Sequence, residues 1–325
     1  MIGVDYTHLG RSGLSVSRLC LGTMNFGWKT EEADAHAVMD RAHAEGLNFF
    51  DTANVYGFEA GKGRTEEVLG TWFAQGDGRR ERTVLATKVY GGMSDWPNDT
   101  FLSARNVVRA CEASLRRMQT DWIDLYQFHH VDLATPWDEI WQACETLVAQ
   151  GKVLYVGSSN HAAWQLAAAN EAAARRHFLG LVSEQSHYNL LTRHVELEVL
   201  PAARHYGIGV IPWSPLAQGL LAGVLGDEEG DRRHLERNRE RIERHRPALQ
   251  AYEDACREWG LTPADVGLAW LLHQDGVTAP IVGPRTMDQF EGSLAALDVR
   301  LEQAQLDRLD EVFPGYRTAP EEYAW

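Results

Sequence analysis

A chain of 325 residues with 44% hydrophobic content is long enough for one large α/β barrel or two smaller domains, and its formal net charge of -15 weighs against nucleic-acid or anionic-membrane partners, because the long-range field repels polyanions. Cys20, Cys111, Cys144 and Cys256 lack CxxC spacing and read as buried, reduced thiols. The sequence shows no basic leader before an apolar core and no run of about 18 apolar residues, so a soluble, cytoplasmic protein is expected.

Strand-like and helix-like segments alternate from residue 19 to residue 300 without a Pro/Ser-rich linker, so the chain reads as one domain, 1–325. Residues 4–18 read as two short strands around the turn Gly10–Gly13. Leu19–Gly22 is the next strand, and its exit loop offers backbone at Gly22, Thr23 and Met24 and two aromatic walls, Phe26 and Trp28. A helix from Thr30 to Glu45 follows, with Thr30 as its cap. Leu47–Asp51 is an apolar strand ending in the polar loop that carries Tyr56, and a second helix starts near Arg64. Thr83–Lys88 closes on a lysine, and the loop 91–100 behind it, with Trp96, is longer than a βα connection needs. Ser103–Met118 is a helix with an apolar stripe, Trp122–His129 a strand closing on a histidine, and Trp137–Gln150 a helix behind Pro136. Strands follow at Val153–Gly157, Gly180–Glu184 and Gly209–Pro212. Pro201 predicts a kink or late start in the helix Glu196–Tyr206 between the last two. Asp227–Arg246 holds seven arginines among acids and reads as a solvated, salt-bridged helical face, with a mobile flap over a diphosphate as the alternative. A helix is expected to begin at Pro247, another to span Pro263–His273, a strand to span Thr278–Val282, and a last helix Leu301–Val312 to lead to the aromatic end Tyr323-Ala-Trp325.

In a parallel sheet or barrel fed by crossover helices the strand ends share one face, so Asp51, Tyr56, Lys88 and His129 converge although they are far apart in sequence. A free phenol has a pKa near ~10, and an ammonium within reach favours its ionised form. Lys88 therefore reads as the group that lowers the pKa of Tyr56 for proton donation, Asp51 as the carboxylate that holds Lys88, and His129 as a hydrogen-bond partner for a substrate oxygen. No Ser-His pair, HExxH or CxxC accompanies them, so neither nucleophile nor metal is expected; polarising a carbonyl without attacking it suits hydride delivery from a nicotinamide. His130 is expected to point away from His129, toward the helix layer or the rim. No GxGxxG follows a strand, which leaves a Rossmann domain without its fingerprint.

Phe50-Asp-Thr-Ala-Asn-Val-Tyr-Gly57, the strand-end Lys88 and Asp124-Leu-Tyr-Gln-Phe-His129 resemble the aldo-keto reductase family over nearly the whole chain. The resemblance implies a (β/α)8 TIM barrel with an N-terminal β-hairpin plugging its bottom and long loops at its C-terminal face. It also implies NADPH/NADP+ bound at that face, a small-molecule carbonyl substrate, and Tyr56 as proton donor. It assigns Ser159, Asn160 and Gln185 to the nicotinamide carboxamide and Trp213 to the ring face. The pyrophosphate falls to the backbone of Ser214, Pro215, Leu216, Gly219 and Leu220, and the 2'-phosphate end to Gly283, Arg285 and Gln289. Within the family the chain looks most like the actinobacterial NDP-hexose 2,3-enoyl reductases of deoxysugar pathways. Channel β-subunits, which share the fold and the Trp213-Ser-Pro-Leu216 motif, supply a regulatory NADP(H)-binding alternative, and a homo-oligomer is possible in this branch.

Overall fold

The computed structural model describes residues 4–225 and 232–323, with the backbone alone at 232–237, 319 and 320. Strands β1 (Tyr6–His8) and β2 (Ser15–Ser17) pair antiparallel. The chain then alternates strand and helix: β3 (Cys20–Gly22), α1 (Glu32–Ala44), β4 (Phe49–Asp51), α2 (Arg64–Phe73), β5 (Val84–Val89), α3 (Ala104–Met118), β6 (Ile123–Phe128), α4 (Trp137–Ala149), β7 (Val153–Ser159) and α5 (Ala163–Arg175). It continues with β8 (Leu181–His187), α6 (Val199–Tyr206), β9 (Gly209–Trp213), α7 (Arg232–Trp259), α8 (Pro263–His273), β10 (Ile281–Val282), α9 (Met287–Leu294) and α10 (Gln303–Val312). Strands β3 to β10 form one parallel sheet in the order β10-β3-β4-β5-β6-β7-β8-β9. Val210 of β9 bridges to Val277 ahead of β10, bringing the two edges together as a nearly closed (β/α)8 barrel.

β5 and β6 are buried along their whole length because they face helices outside and packed side chains inside, which is why they lack polar alternation. Leu9 and Val16 of the hairpin join Cys20, Phe49, Ala86, Leu125, Ile211 and Ile281 in an apolar cluster separate from the main core. Gly10, at φ 55, lies so close to the carbonyl oxygens of Gly207 and Val182 that a Cβ would sit 2.5 Å from each, so the hairpin turn seals the N-terminal end of the barrel only with glycine there. All four cysteines are buried and unpaired.

Two local expectations change, and a third, the late start of the helix that holds Pro201, is met. Thr30 does not cap α1; its hydroxyl donates to the carbonyl oxygen of Arg285 at 3.0 Å, and Glu31 precedes the helix without a side-chain cap. α6 starts late, at Val199, which leaves Pro201 in its first turn, where a missing N–H costs little. α7 runs through Pro247 instead of starting there: Ile242, Leu249, Tyr252 and Cys256 are buried at helical spacing on both sides, and packing of that face outweighs the lost backbone bond. Within α7, Arg244 pairs with Glu240 and Arg246 with Glu243, as a solvated helical face does. The Asp227 end of the arginine-rich segment and the terminal Ala324-Trp325 lie outside the described residues.

Candidate active site

The C-terminal end of the barrel carries a polar layer directly above the apolar one. Asp51 closes β4, Lys88 lies near the end of β5, Gln127 near that of β6 and Gln185 near that of β8, and all four are buried. Lys88 Nζ donates to Asp51 Oδ2 at 2.5 Å, to the carbonyl oxygen of Thr52 at 2.9 Å and to Tyr56 Oη at 3.2 Å. Three donors are thereby matched with three acceptors. The other carboxylate oxygen, Asp51 Oδ1, accepts from Gln127 Nε2 at 3.0 Å and Gln185 Nε2 at 2.8 Å. Tyr56 reaches the lysine because the chain doubles back at Gly57, where φ is 135 and a Cβ would meet the carbonyl oxygen of Gly61 at 1.9 Å. His129 follows β6 and sets its ring edge-on to Tyr56, with centroids 5.8 Å apart.

The electrostatics refine the expected chemistry. Burial lowers the Lys88 pKa, but Asp51 and Tyr56 reverse that and hold it above its ordinary value, so the ammonium persists. For Tyr56 burial is the largest influence and raises the phenol pKa, against the pull of Lys88. The expected net lowering is therefore not seen: the phenol stays protonated, with the Lys88 ammonium donating to its oxygen. Burial, Lys88 and His130 together bring His129 down to about 2, so its imidazole is neutral.

Other positions differ from expectation. Phe26 is fully buried in the main core and walls no pocket. Trp28 is half-buried and packs against Phe58 at a tilt, ring centroids 4.4 Å apart and planes at 34°, while Trp96 is 74% exposed in the loop after β5. His130 does not turn away from His129, because β6 ends at Phe128; the two rings stack at 5.0 Å with His130 on the exposed rim.

On the cofactor side, Ser159 Oγ donates to the carbonyl oxygen of Gln185 at 2.8 Å. Asn160 gives its Nδ2 to the carbonyl oxygen of His129 and to Ser159 Oγ, while its Oδ1 accepts from Trp213 Nε1 at 3.1 Å. Both amides expected at a carboxamide, Asn160 and Gln185, thus already hold protein groups. Thr23 bonds the carbonyl oxygen of Asp51 through both its amide and its hydroxyl, Gly22 packs on Ile281, and Met24 is exposed. Along the loop after β9, Ser214, Ala217 and Gln218 have positive φ. Such turns present backbone N–H groups to anions. The loop also holds Pro215, Leu216 and Leu220, but three of its amides are spent within it: Ala217 on the Ser214 carbonyl oxygen at 3.0 Å, Gln218 on Ser214 Oγ at 3.2 Å and Gly219 on the Leu216 carbonyl oxygen at 2.8 Å. Gly283 is exposed, and its carbonyl accepts from Asn25. Arg285 is exposed just ahead of α9, makes no ion pair among the described residues, and has its amide held by Gln289 Oε1 at 2.9 Å.

Gln127, Phe58 and His187 escaped the sequence reading. Gln127 carried a signal, since it lies two residues before His129 and alternation gives both the same face. Phe58, half exposed at φ 45, carried none, because an apolar loop residue after a glycine has no pattern.

The family model described as Aldo/keto reductase family matches residues 18–313. The chain is 52% identical to the uncharacterized oxidoreductase YrpG of Bacillus subtilis (strain 168), over 99% of this chain and 100% of that protein. It is 33% identical to a probable voltage-gated potassium channel subunit beta of Arabidopsis thaliana, over 98% and 100% of the two chains. It is 31% identical to the versiconal hemiacetal acetate reductase of Aspergillus parasiticus, over 95% and 97%.

Proposed function

The chain belongs to the aldo/keto reductase family, and from that premise we propose that it reduces the carbonyl of an aldehyde, ketone or keto-sugar at the expense of NADPH, with Tyr56 as proton donor. The carrying observation is Lys88 Nζ, bonded at once to Asp51 and Tyr56 at the C-terminal end of the barrel. When bound, the cofactor supplies a hydride to the carbonyl carbon. The protein's own groups do the rest. The phenol O–H donates to the carbonyl oxygen and polarises it, then transfers its proton as negative charge develops there. Lys88, fixed by Asp51 and by the Thr52 carbonyl, stabilises the resulting phenolate without moving. A neutral His129 offers one N–H to the same oxygen and so fixes the substrate's direction of approach.

The site's donors fit the cofactor. Trp213 offers an aromatic wall, the loop after β9 turns through positive φ at Ser214, Ala217 and Gln218 beside it, and Arg285 stands exposed at a helix N-terminus, where an anion is favoured. That arginine supports NADPH over NADH. The test is turnover of a reactive aromatic aldehyde with NADPH and, separately, NADH, repeated with Arg285→Ala. NADPH-linked turnover that loses its cofactor preference in the variant supports the reading; no turnover with either cofactor defeats it.

A regulatory NADP(H)-binding subunit is the second reading, favoured by the likeness to a potassium-channel β-subunit. Binding without turnover across a broad carbonyl panel identifies it. The narrower deoxysugar reading rests on sequence motifs, and a screen of nucleotide-linked keto-sugars tests it.

A further inference from the structure

His187 and Trp213 face each other across the β8–β9 register, each one step of strand alternation beyond an inward residue, Gln185 and Ile211. Their rings stack with centroids 4.3 Å apart and planes at 12°. From its edge the indole sends Nε1–H across β8 to Asn160 Oδ1 at 3.1 Å. Both holders are themselves held. Asn160 sits in the left-handed region at φ 62 and is tied through Nδ2 to Ser159 Oγ and the carbonyl oxygen of His129. Asn189, fully buried, contacts His187 Nε2 at 3.3 Å and donates to the carbonyl oxygen of Ser214 at 2.9 Å. One indole face is therefore covered and its N–H is occupied, while the ring as a whole is half-buried at the C-terminal end of the barrel. A tryptophan at the start of a loop would otherwise lose rotamer freedom each time a flat ligand stacked on it.

We propose that His187 is a positioning residue that presets Trp213 as the stacking wall for the nicotinamide ring, with the Asn160 amide fixing the indole edge. The proposal rests on the cofactor reading above. Burial, with Arg241 and His194 nearby, keeps the His187 pKa below its ordinary value, so the backing ring is uncharged at neutral pH.

The test is a double-mutant cycle on NADPH affinity, by fluorescence titration of His187→Ala, His187→Phe, Trp213→Ala and the Trp213→Ala/His187→Ala pair, with urea midpoints as a folding control. An aromatic pair of this kind predicts a loss of about three- to tenfold in affinity for His187→Ala, recovered by His187→Phe. In the Trp213→Ala background His187→Ala should add nothing, because its partner is gone. Wild-type affinity in His187→Ala, or the same loss with and without Trp213, overturns the proposal. If the wild type binds no NADPH, the cofactor reading fails first and takes this one with it, an outcome distinct from normal wild-type binding with an inert His187.

Discussion

Glu184→Gln should stabilise the protein at pH 8 and change it far less at pH 5. Glu184 points outward from β8, opposite to Gln185, and is fully buried; it accepts from Ser158 Oγ at 2.5 Å, Ser186 Oγ at 2.9 Å and the His161 amide at 3.0 Å. Among the described residues no cation neutralises it: His161 Nδ1 is 4.0 Å away, and burial brings that imidazole down to about 4. Burial raises the carboxyl from 4.5 to about 7 in spite of its three hydrogen bonds. Between those values the folded state holds a proton that the unfolded chain has lost, so this group's contribution to stability falls as pH rises from 4.5 to about 7. At about 1.4 kcal/mol per pH unit of displacement, the full penalty is on the order of 3 kcal/mol, most of it absent at pH 5. Glutamine keeps an acceptor for the His161 amide and meets Ser158, whose hydroxyl can turn to the carbonyl oxygen of Ser183. Urea unfolding of both proteins at pH 5 and pH 8 measures the effect. His43, His129 and His161, all lowered by burial, give an opposite slope at acid pH, but they do so in both proteins, so the difference between variant and wild type isolates Glu184. An advantage for the variant that widens by about 2 kcal/mol or more toward pH 8 is expected. An unchanged difference across that range would refute the reasoning.

Three further outcomes are expected. Lys88→Met leaves Asp51 buried without its cation and should cost about 3–5 kcal/mol in urea unfolding, a loss that Asp51→Asn in the same chain partly restores. Phe58→Ala removes the ring that packs at a tilt on Trp28 and lies parallel to Tyr56, and should raise KM for aromatic aldehydes by about three- to tenfold while sparing small aliphatic ones; equal effects on both classes would show that Phe58 only shapes its loop. With His129 neutral down to about 2 and Tyr56 raised above the usual phenol value, kcat/KM for reduction should carry no ionisation from either group between pH 5 and pH 8. An acid limb that disappears in His129→Asn would contradict the neutral imidazole.

The barrel was legible because its strands end at changes of chemistry: apolar runs that stop at Asp51, Lys88 and His129 mark both the strand boundaries and the face where the groups meet. Less legible was anything set by contacts distant in sequence. Thr30 looked like a cap, but the carbonyl of Arg285, far along the chain, takes its hydroxyl. Pro247 looked like a helix start, but the buried stripe passes straight through it. The Lys88–Tyr56 pair suggested a lowered phenol pKa because sequence conveys the neighbouring charge and not the depth of burial, which is the larger influence here. Asn160 and Gln185 stand out in the sequence as amides at strand ends, yet their bonds to Trp213 and Asp51 depend on side chains from four different strand ends.

The central claim is that Tyr56 donates the proton, and it is tested by measuring NADPH affinity and turnover together for the wild type and Tyr56→Phe. The account predicts that the variant binds NADPH like the wild type, since it assigns the phenol to the substrate oxygen, while aldehyde reduction falls by about two to four orders of magnitude. Turnover within a few-fold of wild type would place the proton donor elsewhere and leave the Asp51–Lys88–Tyr56 cluster a structural one.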